Sequence, residues 1–203
     1  MAEARADGGV VIGRFQPFHN GHLRLVHRAM DVGERCIVVL GSSQESRTER
    51  NPFTVDERRA MIEAGLDRAV RDRLRFVPVA DLGDEPRWAR NVEDLVTQLL
   101  ADEIDRQPSI RLVGAFKDDS SDYLRAFPRW PLVHVPPEPA VGGMLHATDL
   151  RTRLFGSLDR LDDRPSDDDV LRLTSLVPAG TLEYLRGWRV DQGRPEWDWP
   201  ESV

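Results

Sequence analysis

One stretch, Gly13-Arg14-Phe15-Gln16-Pro17-Phe18-His19-Asn20-Gly21-His22-Leu23, constrains this chain more than any other. It follows an apolar run, Val10-Val11-Ile12, and precedes a helical pattern of Leu23, Leu25, Val26, Ala29 and Met30. The order is strand, tight loop, helix. A loop that ends at a helix start presents unpaired backbone N–H groups and the positive end of the helix dipole, and so favours an anion. Gly13 and Gly21 allow close approach of the backbone, and Pro17 stiffens the turn between them. His19 and His22 can each donate to a phosphate oxygen, and Arg14 adds a forked, permanent charge. Two histidines three apart could also be half of a metal site. Against that, the chain has one cysteine, and no other ligand stands at a recognisable spacing nearby.

The formal charge of −7 over 203 residues argues against nucleic acid or a membrane surface as the main partner. The acidity is uneven. Asp159, Asp162, Asp163 and Asp167 to Asp169 crowd the late chain, while Arg14, His19, His22, Arg24, His27 and Arg28 crowd the early loop. A locally basic pocket in an acidic protein suits a small polyanion. Cys36 lies in an apolar run and reads as core. No disulfide framework, signal peptide or long apolar span is visible, so a cytoplasmic setting is expected.

Strands are expected at Val10–Arg14, Cys36–Leu40, Leu74–Val79, Ile110–Gly114 and Leu132–Val135, with helices at about 21–33, Thr54–Leu66, Trp88–Asp102 and from Thr148 onward. Cys36-Ile37-Val38-Val39-Leu40 is continuously apolar, as a parallel strand buried on both faces requires. Thr54 and Glu57 have capping-box spacing. Alternating strands and helices imply an α/β fold with a doubly wound parallel sheet, whose ligands bind beyond the carboxyl ends of the strands. Arg14, Arg47, Arg50, Asp81, Trp88 and Lys117 fall at such ends. The segment Gln44–Asn51 reads as a mobile basic loop able to close Arg50, and with it Arg47, over a triphosphate. The bland reading is an exposed Arg-rich loop.

Four stretches carry a family resemblance: His19-Asn20-Gly21-His22, Gly41-Ser42-Ser43-Gln44 to Asn51-Pro52-Phe53-Thr54, Lys117 to Leu124 with Phe127-Pro128-Arg129-Trp130, and Thr148-Asp149-Leu150-Arg151. Together they resemble the nicotinamide-nucleotide adenylyltransferases of the archaeal type and their Nudix-fused relatives, within the His-x-Gly-His nucleotidyltransferase superfamily. The resemblance covers about residues 9–188. It implies a Rossmann-like nucleotidyltransferase domain over 9–158; residues 1–8, small and polar, are expected to be disordered. An acidic linker, C-terminal helices and a tail follow over 159–203. No Nudix signature follows, so that second activity is expected to be absent.

The resemblance further implies adenylyl transfer from ATP to nicotinamide mononucleotide, with Mg²⁺ arriving on ATP, NAD as a product and a homo-oligomer as the working form. By the same resemblance, His19, His22, Arg14, Arg50 and Arg151 stabilise the developing charge. Gly13, Phe15, Gly21, Arg47, Lys117 and Thr148 hold ATP and its phosphates. Asp81, Trp88 and Glu85 meet the mononucleotide, with Trp88 stacked on the pyridine ring. Two departures stand out: Ala147 replaces a serine, and Glu85 stands where an amide would recognise the carboxamide. Other acceptors, among them nicotinate mononucleotide and phosphopantetheine, remain alternatives, as does a catalytically silent nucleotide sensor.

Overall fold

The computed structural model describes residues 4–116, 119–136, 139–140, 143–144, 146–156 and 165–188. Five parallel strands form one sheet: β1 (Ala6–Gly13), β2 (Gly33–Leu40), β3 (Leu74–Pro78), β4 (Ile110–Gly114) and β5 (Leu132–His134). Their order is β3-β2-β1-β4-β5, so the chain winds outward in one direction and then reverses between β1 and β4. The carboxyl end of that reversal is where a doubly wound sheet opens a crevice.

Side chains alternate across each central strand. Val11, Val38 and Leu40 pack with α1 (Asn20–Val32), α2 (Val55–Ala64) and α5 (Ala147–Phe155). Val10, Ile12, Ile37 and Val39 pack with α4 (Glu85–Ala101) through Ala89, Val92, Val96 and Leu100. Both faces are therefore covered, which is why β2 reads as an unbroken apolar run. Cys36 belongs to this interior, and burial pushes its thiol up to about 12.

Several boundaries differ from the sequence expectations. β1 begins at Ala6, inside the stretch expected to be disordered, because Asp7 is pinned. It accepts from the backbone N–H and hydroxyl of Ser109 and from Arg106. α4 begins at Glu85 rather than Trp88: Asp84 caps it, accepting from the Arg87 N–H at 2.7 Å, and Pro86 lies in its first turn. A short helix α3 (Arg68–Arg71), a 3₁₀ helix (Asp119–Ala126) and an antiparallel pair β6 (Pro139–Ala140) and β7 (Gly143–Met144) complete the central part.

The C-terminal helices α6 (Asp167–Leu171) and α7 (Ala179–Gly187) are built into the main core through Val170, Leu173, Leu182, Leu185 and Trp188. α6 starts at a reciprocal Ser166–Asp169 cap, which accounts for three of the crowded aspartates: they occupy its first turn, at the positive end of the dipole. α7 meets α2 backbone to backbone. A Cβ at Gly180 would lie 1.7 Å from the carbonyl oxygen of Ala64. The expected tail and its tryptophans lie outside the described residues.

Candidate active site

A cleft of about 680 Å³ opens over the carboxyl ends of β1, β2 and β4. Its floor is the turn after β1. Pro17 follows a cis peptide bond, and Phe15 adopts φ +54°. Gln16 is buried and acts as a strand surrogate: its side-chain amide donates to the Phe53 carbonyl and accepts from the Phe53 N–H. The turn after β2 has its own positive-φ residue, Ser42 at +50°. Left-handed backbone in non-glycine residues is strained and persists where surrounding contacts hold it.

His19 is the N-cap of α1. Its Nδ1 accepts from the N–H groups of Gly21 at 3.1 Å and His22 at 3.4 Å. With Nδ1 accepting, the neutral ring carries its proton on Nε2. The glycine between the histidines has a steric cause, since a Cβ at Gly21 would lie 2.9 Å from Cε1 of His19. The His19 and His22 rings stack with centroids 3.7 Å apart, and Phe15 packs on His22 at 4.7 Å. Both histidines line the cleft; Gly21 does not.

Four arginines gather here. Arg14, Arg50 and Arg151 line the cleft, and Arg58 is buried directly behind it. Arg58 donates to the carbonyls of Arg14 at 3.0 Å and Gly41 at 2.7 Å, tying together the ends of β1 and β2. Arg151 donates to the Gln16 carbonyl at 2.9 Å. Among the described residues none of the four forms an ion pair with a carboxylate, and one guanidinium nitrogen of Arg14 is buried without a hydrogen-bond partner. The electrostatics follow. Burial, with repulsion from Arg50 and Arg151, brings Arg14 down to about 10, while Asp81 and Glu45 oppose the shift. Burial and the Arg14 charge bring Arg58 to about 10. Arg151 is also lowered, first by burial, with Glu49 opposing and Arg50 adding to it. Partly buried like charges without ion-pair partners are an arrangement that suits an anion.

The remaining expected residues divide. Gly13, Phe15, Asp81, Trp88 and Thr148 line the cleft. Asp81 accepts from the Ser42 hydroxyl at 2.7 Å, and Gln44 both donates to its carboxylate and accepts from its N–H. Trp88 stands edge-on to Tyr123 and Phe127, with a buried Nε1 that has no hydrogen-bond partner among the described residues.

Three residues sit elsewhere than the sequence reading placed them. Arg47 does not line the cleft: both terminal nitrogens of its guanidinium bond Glu57, at 2.6 and 2.7 Å. Glu85 is the exposed first residue of α4 and does not line the cleft either. Thr148 is no N-cap, because α5 starts at Ala147 behind His146 and the Thr148 hydroxyl accepts from Arg151 at 3.0 Å. Lys117 lies outside the described residues. Sequence reasoning missed Arg58, Gln16, Asn51, Tyr123 and His146. A signal existed for Arg58, a charge three and four residues before Met61 and Ile62 on the same apolar helix face.

A cytidylyltransferase-like family model matches residues 10–93. The nicotinamide/nicotinic acid mononucleotide adenylyltransferase of Acinetobacter baylyi is 32% identical over 178 residues, covering 87% of this chain and 84% of that protein. The nicotinamide-nucleotide adenylyltransferase of Thermoplasma acidophilum is 41% identical over 95 residues, 47% of this chain and 53% of the relative. Among solved structures, the bifunctional NMN adenylyltransferase/ADP-ribose pyrophosphatase of Francisella tularensis, complexed with AMP and a manganese ion, superposes with a TM-score of 0.62. It is 26% identical, over 90% of this chain and 52% of its own. The chain thus spans most of the Acinetobacter protein and about half of the other two. It belongs to the nicotinamide/nicotinic acid mononucleotide adenylyltransferase family, within the cytidylyltransferase-like nucleotidyltransferases.

Proposed function

We propose that this chain transfers the adenylyl group of ATP to nicotinamide mononucleotide, giving NAD and pyrophosphate. The observation that carries this reading is the cluster of Arg14, Arg50, Arg58 and Arg151 at the carboxyl end of the sheet, buried in part and without carboxylate partners among the described residues. Such a cluster is costly to fold and is stabilised by a bound polyanion.

In the reaction a phosphate oxygen of the mononucleotide attacks the α-phosphorus of ATP. The bond from that phosphorus to the β-bridging oxygen breaks, and pyrophosphate leaves with its electron pair. The attacking oxygen is already ionised, so no side chain needs to serve as nucleophile or base. The chain's own work is positioning and charge stabilisation. The Nε2–H of His19, His22 and the arginines face the phosphates, and Arg58 holds the two turns at a fixed separation. In this reading Mg²⁺ enters as part of the ATP substrate. No helix among the described residues is long and apolar enough to cross a membrane. A cytoplasmic homo-oligomer is the working form in this reading.

The Trp88 ring in the cleft offers a face for a flat cationic ring. Asp81 also lines the cleft, and its carboxylate favours the neutral carboxamide of the nicotinamide form over the carboxylate of nicotinate. The test is pyrophosphate release by the purified protein with ATP, Mg²⁺ and a panel of nicotinamide mononucleotide, nicotinate mononucleotide and phosphopantetheine. Release with the nicotinamide form and an equal yield of NAD is expected. Release only with phosphopantetheine, or tight NAD binding with no release from any acceptor, would overturn the reading.

A further inference from the structure

The loop that carries Arg50 is held from the far end of the chain. Glu57, buried at the third position of α2, accepts twice on each carboxylate oxygen. Oε2 accepts from the Thr54 N–H at 2.8 Å and from Arg47 Nη1 at 2.6 Å. Oε1 accepts from Arg47 Nη2 at 2.7 Å and from Trp188 Nε1 at 2.8 Å. The hydrogen bonds that Arg47 donates to Glu57 hold its guanidinium above its ordinary pKa. Arg47 also donates to the Pro52 carbonyl, and its guanidinium lies over the Trp188 indole, 5.5 Å from the ring centroid. The indole in turn stands edge-on to Phe53 at 5.1 Å and Phe155 at 5.9 Å.

Between Arg47 and Pro52 the chain makes one tight turn. Thr48 and Asn51 exchange backbone hydrogen bonds at 3.2 and 3.1 Å, and Arg50 is the third residue of that turn. The clamp from Arg47 to Pro52 closes its base, and Arg47 itself is held at φ +60°. Arg50 is exposed, so its reach over the cleft is fixed by the backbone beneath it. The same C-terminal region touches the other phosphate loop: Asn20, the residue between the two cleft histidines that opens α1, donates to the carbonyls of Leu176 and Ser175.

We infer that Trp188 is a positioning residue for Arg50, acting through Glu57 and Arg47, so that the C-terminal helices set how tightly the triphosphate is captured. This rests on the proposal that Arg50 is a phosphate ligand. A Trp188 that only stabilised the fold would shift the melting temperature and leave the Michaelis constants alone.

The test is a kinetic cycle on the full chain with W188F, R50A and the double variant. Trp188→Phe keeps a ring against Phe53 and Phe155 and removes the Nε1 donor. The KM for ATP is expected to rise about fivefold in W188F, the worth of one lost hydrogen bond, with the KM for the mononucleotide unchanged. R50A should raise the KM for ATP further, and the double variant should match R50A alone. Arg47→Lys should behave as W188F does, since an ammonium cannot bridge both carboxylate oxygens. That variant leaves the indole packing in place and carries the test if W188F fails to fold. Additive effects in the double variant, or an equal rise in both KM values, would overturn the positioning role alone. An R50A enzyme with an unaltered KM for ATP would overturn the phosphate role of Arg50 and this inference together.

Discussion

The two ends of the sheet use the same residues in opposite ways. At the amino ends of the strands each arginine in the network has an acceptor. Arg106 pairs with Asp7, Arg35 and Arg75 with Glu103, and Arg73 donates to the carbonyls of Met30, Gly33 and Glu34. At the carboxyl ends Arg14, Arg50, Arg58 and Arg151 have no carboxylate partner among the described residues, and burial with mutual repulsion lowers three of them. One end is closed electrostatically by the protein itself. The other is left open, and in the proposed reading a bound polyanion completes it. A charge that stabilises the fold and a charge kept for a ligand differ in partners, not in residue type.

The largest expected effect lies at the open end. His22→Ala should lower kcat by a factor of about 10²–10³, the range for losing one preorganised donor to a developing charge, with the KM for the mononucleotide little changed. Its melting temperature should stay near that of the wild type. Unchanged turnover would remove His22 from the machinery.

Arg58→Met sharpens the comparison, because Arg58 belongs to both ends of the argument. It is charged and carboxylate-free like the cleft residues, yet it bonds carbonyls as a structural arginine does. Leaving the Arg14 and Gly41 carbonyls short of a donor should cost about 2 kcal/mol of stability. The loosened turns should lower kcat about tenfold, since misplacement of the reacting groups weakens every contact in the cleft. Denaturant unfolding and kinetics on one sample check both; a stability loss with full turnover would make Arg58 structural only.

The smallest effect belongs to the closed end. Asp7→Asn should cost about 1 kcal/mol, discounted because Arg106 is largely exposed, and should leave kcat alone. The hydrogen bond from Arg106 holds the Asp7 carboxyl well below its ordinary 3.8, against the opposing effect of burial. A depressed carboxylate contributes stability above its unfolded pKa and loses it as pH falls through the folded value. The wild type should therefore lose more stability than Asp7→Asn below about pH 4, as acid unfolding curves would read. Identical curves would contradict the role of the pair.

What was legible in the sequence was local. The strand–loop–helix around His19, the apolar run of β2 and the Thr54–Glu57 cap each rest on neighbours in the chain, and each is present in the structure. What was not legible depended on partners far along it. Arg47 and Arg50 look alike in one basic loop; only the fold brings Trp188 and Glu57 to Arg47 and leaves Arg50 over the cleft. Glu85 is a ligand contact only by the family resemblance; that it opens α4 depends on Asp84, three residues before Arg87, whose carboxylate accepts from the Arg87 N–H. Thr148 has the residue type of a cap, but the helix starts one residue earlier and Arg151 takes the hydroxyl.

The most direct measurement uses ATP made chiral at the α-phosphorus with sulfur and follows its configuration in the dinucleotide product. A cleft that acts by positioning and charge alone transfers the adenylyl group in one in-line displacement, so the configuration should invert. Retention would mean two displacements through a covalent adenylyl group on the protein, with His19 or His22 as nucleophile, and would contradict the account.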